Sequence, residues 1–182
     1  MKYIFYLITF LDILSIVKLE KKRIIYLINE ADIESDISIS HCIAAGDFLA
    51  NENISSIFYS PKAKKSAFIV GKRFSGPPEF VEVFNIFSEG QTDDITKKKI
   101  KEEILYFIWE DDYEVYAIIS DEMNINILSS IFLKDSSETL LNEEISHCSI
   151  SKIIMEGRDT FIVEYWNDSH FFKEGEEKYL KE

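Results

Sequence analysis

Apolar positions along the chain fall in short blocks between polar, turn-forming stretches, and the spacing inside each block separates strand from helix. From Arg23 to Ile28 the run RIIYLI is β-branched and almost wholly apolar, which predicts a central strand buried on both faces. The acidic stretch ADIESDIS that follows reads as a turn. From Ser40 onward, HCIAAGDFLANEN sets Ile43, Ala44, Phe48 and Leu49 at helical spacing and ends in asparagines. SSIFYS is a second short strand. SPKAKKSAFIVGKRF then opens with Pro61 at a favoured first helical position and carries Ala67, Phe68, Val70 and Phe74 towards one side.

After the SGPP break, EFVEVFNIF is a short extended segment running into EGQTDD. ITKKKIKEEILYFIWEDD spaces Ile100, Ile104 and Ile108 four apart, the pattern of an amphipathic helix with lysines and glutamates outside. YEVYAIIS is a third buried strand and MNINILSSIFL a helix, while SHCSISKIIME and DTFIVEYW flank a tight EGRD turn as a hairpin. Alternating strands and helices closed by a hairpin predict an α/β fold, a three-layer α/β/α sandwich with a mostly parallel central sheet and a C-terminal hairpin. Ligands in such folds bind at the carboxyl ends of strands. The residues after RIIYLI, SSIFYS and YEVYAIIS are therefore the candidates for a site.

Composition narrows the classes. At 182 residues, 46% of them apolar and 14% aromatic, the chain suits one domain with a buried core and is not a disordered segment. The expected layout is an apolar extension over residues 1–20, a domain over 21–175 and an acidic tail over 176–182. The apolar stretch from Tyr3 to Val17 is short for a bilayer-crossing helix of ~20 residues and is interrupted by Asp12. We expect a packed element there, with a membrane tether through residues 3–17 as the alternative.

With 33 acidic against 20 basic residues, the formal charge of −13 repels nucleic acid, so the expected partner is a protein or small molecule. Of the basic runs, Lys21–Arg23 and Lys97–Lys101 read as solvated faces, and Lys62–Lys65 follows a strand end. Cys42 and Cys148 show neither metal-ligand spacing nor a disulfide framework, and read as reduced core thiols in a cytoplasmic protein. His41, His147 and His170 are scattered without ligand spacing.

The strand ends carry more. Asn29-Glu30-Ala31 follows the first strand; Ile37, Ser38, His41, Ala44 and Ala45 run through the next helix; Ser60-Pro61 and a lysine follow the second strand. FVEVFNIFSEG supplies Phe80, Glu82, Glu89 and Gly90, Asp121-Glu122 follows the third buried strand, and NDSHFF ends the series with Asn167, Asp168 and His170. In this order, from Arg23 to Phe172, they resemble the histidine phosphatase superfamily, the phosphoglycerate mutase-like group. That resemblance implies a phosphoglycerate mutase-like sheet and a phosphoryl-transfer site at its carboxyl edge.

It also implies what is missing. Typical members place Arg-His-Gly after the first strand, and there the histidine becomes phosphorylated while arginines and a second histidine cradle the phosphate. Here Glu30 stands for the nucleophile, Asn29 for its neighbouring arginine and Asp121 for the second histidine, while Glu82 matches the proton donor. Lys62 or Lys64 stands for a further arginine, so the phosphate-binding set the resemblance implies is Asn29, Lys62 and Lys64. Carboxylates at Glu30, Glu82, Asp121 and Glu122 are expected to repel phosphate. The expectation is a catalytically inactive binding or regulatory protein without a cofactor. The alternative is a divergent phosphatase or phosphotransferase that holds Mg or Mn on those four carboxylates and acts on a phosphomonoester.

Overall fold

The computed structural model describes residues 22–31, 33, 35–82, 94–110, 114–133, 144–157 and 160–172. The extension, the acidic tail, Glu89 and Gly90 lie outside the described residues. Along the chain run β1 (Lys22–Asn29), α1 (Asp36–Phe48), β2 (Ser56–Tyr59), α2 (Lys64–Gly71) and β3 (Glu79–Glu82). Then follow α3 (Asp94–Glu110), β4 (Val115–Ser120), α4 (Glu122–Phe132), β5 (Ile150–Glu156) and β6 (Thr160–Asp168).

These strands form one six-stranded sheet in the order β3-β2-β4-β1-β5-β6. The pairs β1–β4, β2–β4 and β2–β3 are parallel, whereas β1–β5 and β5–β6 are antiparallel, so the C-terminal hairpin extends an otherwise parallel sheet. Strand alternation then sorts β1 between two cores. Tyr26 and Ile28 point to a layer holding Cys42 and Ala45 of α1, Leu49 at its end, and Ala67 and Val70 of α2. Ile25 and Leu27 point to the opposite layer, with Ile104 and Ile108 of α3 and Leu128 and Phe132 of α4. The three layers expected from the apolar blocks are present. Among the described residues no helix is long and apolar enough to cross a membrane.

Two boundaries differ from the pattern, each for a local reason. The first helix begins at Asp36 and not near Ser40, because Ser35 accepts from the Ser38 backbone N–H at 3.1 Å and Asp36 sits favourably in the first turn. A reading by apolar spacing alone misses a polar first turn. Pro61 does not open the second helix. The chain first makes a turn in which the Ala63 N–H donates to the Ser60 carbonyl at 3.0 Å, and α2 starts at Lys64. Phe68 of α2 remains partly exposed and stacks on Phe80 of β3, with ring centroids 4.5 Å apart.

Candidate functional site

Because β1, β2, β3 and β4 run parallel, their carboxyl ends share one edge of the sheet. β5 runs against β1, so the turn that precedes β5 comes to that same edge. Glu30 leaves β1 there. Its backbone N–H donates to the Ser120 carbonyl at 2.8 Å, and its own carbonyl accepts from Nδ1 of His147, also at 2.8 Å. A carbonyl oxygen only accepts, so Nδ1 carries the hydrogen, and in the neutral ring Nε2 keeps its lone pair.

Glu30 and His147 line an open cleft of about 550 Å³ together with Ala31, Ile33, Pro61, Lys62, Lys64 and Lys65. The lysines come from the Ser60–Ala63 turn and the first turn of α2, whose buried face is Ser66, Ala67, Val70 and Gly71. That helix start runs against local preference. Its N-cap is Ala63, which offers no side-chain acceptor, its first turn has no acidic residue, and Lys64 and Lys65 stand where the helix dipole favours anions. Lys64 lies 3.8 Å from the Glu82 carboxylate, but both side chains are well exposed, and such a pair contributes about 0–1 kcal/mol.

The structure therefore brings Glu30, Lys62 and Lys64 together, with Glu82 beside Lys64, and separates the remaining candidates. Asp121 is spent on α4. Its Oδ1 accepts from the Asn124 N–H at 3.2 Å and its Oδ2 from the Asn124 side-chain amide at 2.7 Å. Glu122 follows it as an exposed residue in the first turn of that helix. Asn29 is buried, and its amide donates to the Ile145 and Ser146 carbonyls at 3.2 and 3.3 Å, away from the phosphate-binding role the resemblance implied. Among the described residues no group of three or more His, Cys, Asp or Glu is arranged to hold a metal ion, so the four carboxylates do not converge. The acidic pocket expected from the sequence is instead lined by three lysines, one histidine and one glutamate among the described residues.

His147 has no ligand spacing, and sequence reasoning places it in no site, whereas Lys65 belongs to the Lys62–Lys65 run that follows the second strand. A signal for His147 did exist in the hairpin, since a strand antiparallel to the parallel set must start at their carboxyl edge. The NDSHFF tail supports the same turn. Asn167 accepts from the Ser146 N–H at 3.0 Å through Oδ1 and donates through its amide to the Glu144 carbonyl at 3.0 Å, clamping the approach to His147. His170 instead bonds Asp168 through its backbone N–H and Nδ1. Partial burial pushes the Asp168 carboxyl up, but these two bonds and the imidazole charge outweigh it and hold the group below its ordinary range. His41 stacks on Phe172 at 4.3 Å and stays out of the cleft.

Neither a protein-family model nor a curated protein sequence matches the chain. Solved structures do. A phosphoglycerate mutase from Bacillus anthracis superposes with a TM-score of 0.68 at 12% identity, over 87% of this chain and 99% of that one. The fold is phosphoglycerate mutase-like. A phosphoglycerate mutase from Plasmodium falciparum agrees at a TM-score of 0.59 and 17% identity, over 82% of this chain and 94% of its own. The protein histidine phosphatase SixA, solved with tungstate, agrees at 0.61 and 11% identity, over 78% and 94%. At such identities the likeness defines the phosphoglycerate mutase-like fold, and activity has to be argued from the cleft.

Proposed function

We propose that this protein is a binding module on a phosphoglycerate mutase-like scaffold, which takes a phosphate-bearing group in the Lys62–Lys64–Lys65 cleft without transferring it through a histidine at the end of β1. One observation carries the reading. The cleft concentrates cations at an uncapped helix start, while the position after β1 holds Glu30. Side chains that crowd positive charge onto a positive helix end weaken that helix on their own, and an anion bound there relieves the conflict. Attraction of an anion is supported by the lining of the cleft, where Asp121 is turned into its own helix, Glu82 lies beside Lys64 and Glu30 is the one carboxylate among the described lining residues.

Binding is expected to be weak. An exposed lysine close to a phosphate contributes on the order of 1 kcal/mol in water, and Glu30 opposes it by a similar amount. With three lysines against one glutamate the net is about −2 kcal/mol, so inorganic phosphate alone should bind in roughly the tens of millimolar. A rise in thermal unfolding midpoint that saturates with phosphate, and is lost in the Lys62→Ala, Lys64→Ala, Lys65→Ala triple variant, is the expected result. No midpoint response to phosphate, or the same response in the triple variant, removes the reading.

His147 favours a second reading, in which the site is an enzyme. With Nδ1 held by the Glu30 carbonyl, Nε2 has the state a nucleophile needs. Nε2 would attack phosphorus, the bond from phosphorus to the ester oxygen would break and the leaving oxygen would take a proton from water; a second water would then attack phosphorus, break the P–N bond and release inorganic phosphate. Hydrolysis of a phosphomonoester that disappears in His147→Asn would establish this reading in place of the first. The reading that places Mg or Mn on the four carboxylates has less support, since those groups stand apart.

A further inference from the structure

Cys42 and Cys148 are 106 residues apart in sequence, yet their sulfurs are 3.1 Å from each other and both residues are fully buried. Cys42 faces inward from α1, and Cys148 occupies the turn before β5 with a φ of 55°, left-handed backbone that a residue with a Cβ adopts only when its surroundings hold it there. The surroundings do hold it. The Cys148 N–H donates to the Asn29 carbonyl at 2.9 Å, and the Ser149 N–H closes the turn on the Ser146 carbonyl at 3.2 Å. We infer that Cys42 and Cys148 form a reversible disulfide under a small two-electron oxidant such as hydrogen peroxide, stapling α1 to the turn that presents His147 to the cleft.

A disulfide needs the sulfurs to close to ~2.05 Å, an approach of about 1 Å from their present separation. The two thiols are unequal. The thiol of Cys148 beside it, helped by Ser66, lowers the Cys42 pKa against the effect of burial, whereas that same bond and burial push Cys148 up. The Cys42 thiolate therefore attacks the peroxide. The O–O bond breaks, a hydroxide leaves and collects the thiol proton as water, and Cys42 becomes a sulfenic acid. The Cys148 sulfur then displaces the sulfenic hydroxyl, which leaves with the Cys148 proton as a second water. Two thiols have lost two electrons, and one peroxide has become two waters. Full burial keeps larger disulfide reagents out and makes the step slow compared with an exposed thiol.

The inference stands apart from the proposed ligand, because its readout is covalent. Full-length protein would be treated with peroxide at neutral pH, denatured with an alkylating reagent and mapped by mass. Loss of both free thiols to one cross-linked peptide pair, reversed by dithiothreitol in denaturant and absent in Cys42→Ser, is the expected result. A raised unfolding midpoint and a displaced His147 imidazole resonance should accompany oxidation and vanish on reduction. Two thiols still free, each cysteine oxidised without a cross-link, or a cross-link only between separate chains would overturn it. The map of the unsubstituted protein decides the matter even if Cys42→Ser does not fold.

Discussion

Asp121 shows how one residue's role turns on where its oxygens point. The resemblance implies that it stands for a second histidine, yet both its oxygens accept from Asn124 and so serve the start of α4. Asp121→Ala should lower stability by about 1 kcal/mol, as the loss of an N-cap does, while Asp121→Asn should largely restore it. Neither should alter the phosphate response. Denaturant unfolding measures the first effect and a phosphate titration the second; a weakened phosphate response with unchanged stability would put Asp121 in the site. Glu30 differs, because it follows β1 and lines the cleft. The side-chain types at both positions are read directly from sequence. Their orientations depend on which neighbour offers a donor, and Asn124 offers Asp121 two.

At the scale of elements, α1 and α2 must lie close together for the Ser60–Ala63 turn and Glu30, Ala31 and Ile33 to form walls of one cleft. Gly46 permits this. A Cβ there would meet the Val70 carbonyl oxygen and the Arg73 Cγ at 2.7 Å, and the backbone oxygen cannot swing aside as a side chain can. The neighbouring Asp47 also accepts from Arg73 Nε at 2.6 Å, tying α1 to the end of α2. Gly46→Val should therefore cost about 1–3 kcal/mol by overpacking and weaken phosphate binding with it, both measurable on the same preparation. Unchanged stability in that variant would mean the helices can separate freely. The existence of both helices was legible in the apolar spacing of Ile43, Ala44, Phe48 and Leu49 and of Ala67, Phe68, Val70 and Phe74, although Phe48 and Phe68 are exposed. Their starts were not, since capping by Ser35 and the turn at Ser60 are polar backbone events that apolar periodicity does not register.

For the whole molecule, the relevant length is the Debye length, about 10 Å at 0.1 M salt. A small phosphate in the cleft feels mainly the nearby lysines. A nucleic-acid duplex spans many such lengths and meets the whole surface, whose formal charge is −13. At about 0.1 M salt the protein should leave a labelled duplex unshifted in a mobility assay while still responding to phosphate; retention of the duplex would overturn the charge argument. Sequence alone determined the layers and the mostly parallel sheet with its hairpin, because apolar period is a local property; that Glu30 and Asp121 stand for reactive residues is what the resemblance implies. Tertiary structure alone decided that Asp121 turns away, that Lys65 and His147 join the cleft, and that Cys42 meets Cys148. The physical reason is common to all three. Side chains distant along the chain become neighbours only when β5 pairs antiparallel to β1 and the helices close on the sheet, and no spacing within a single segment carries that information.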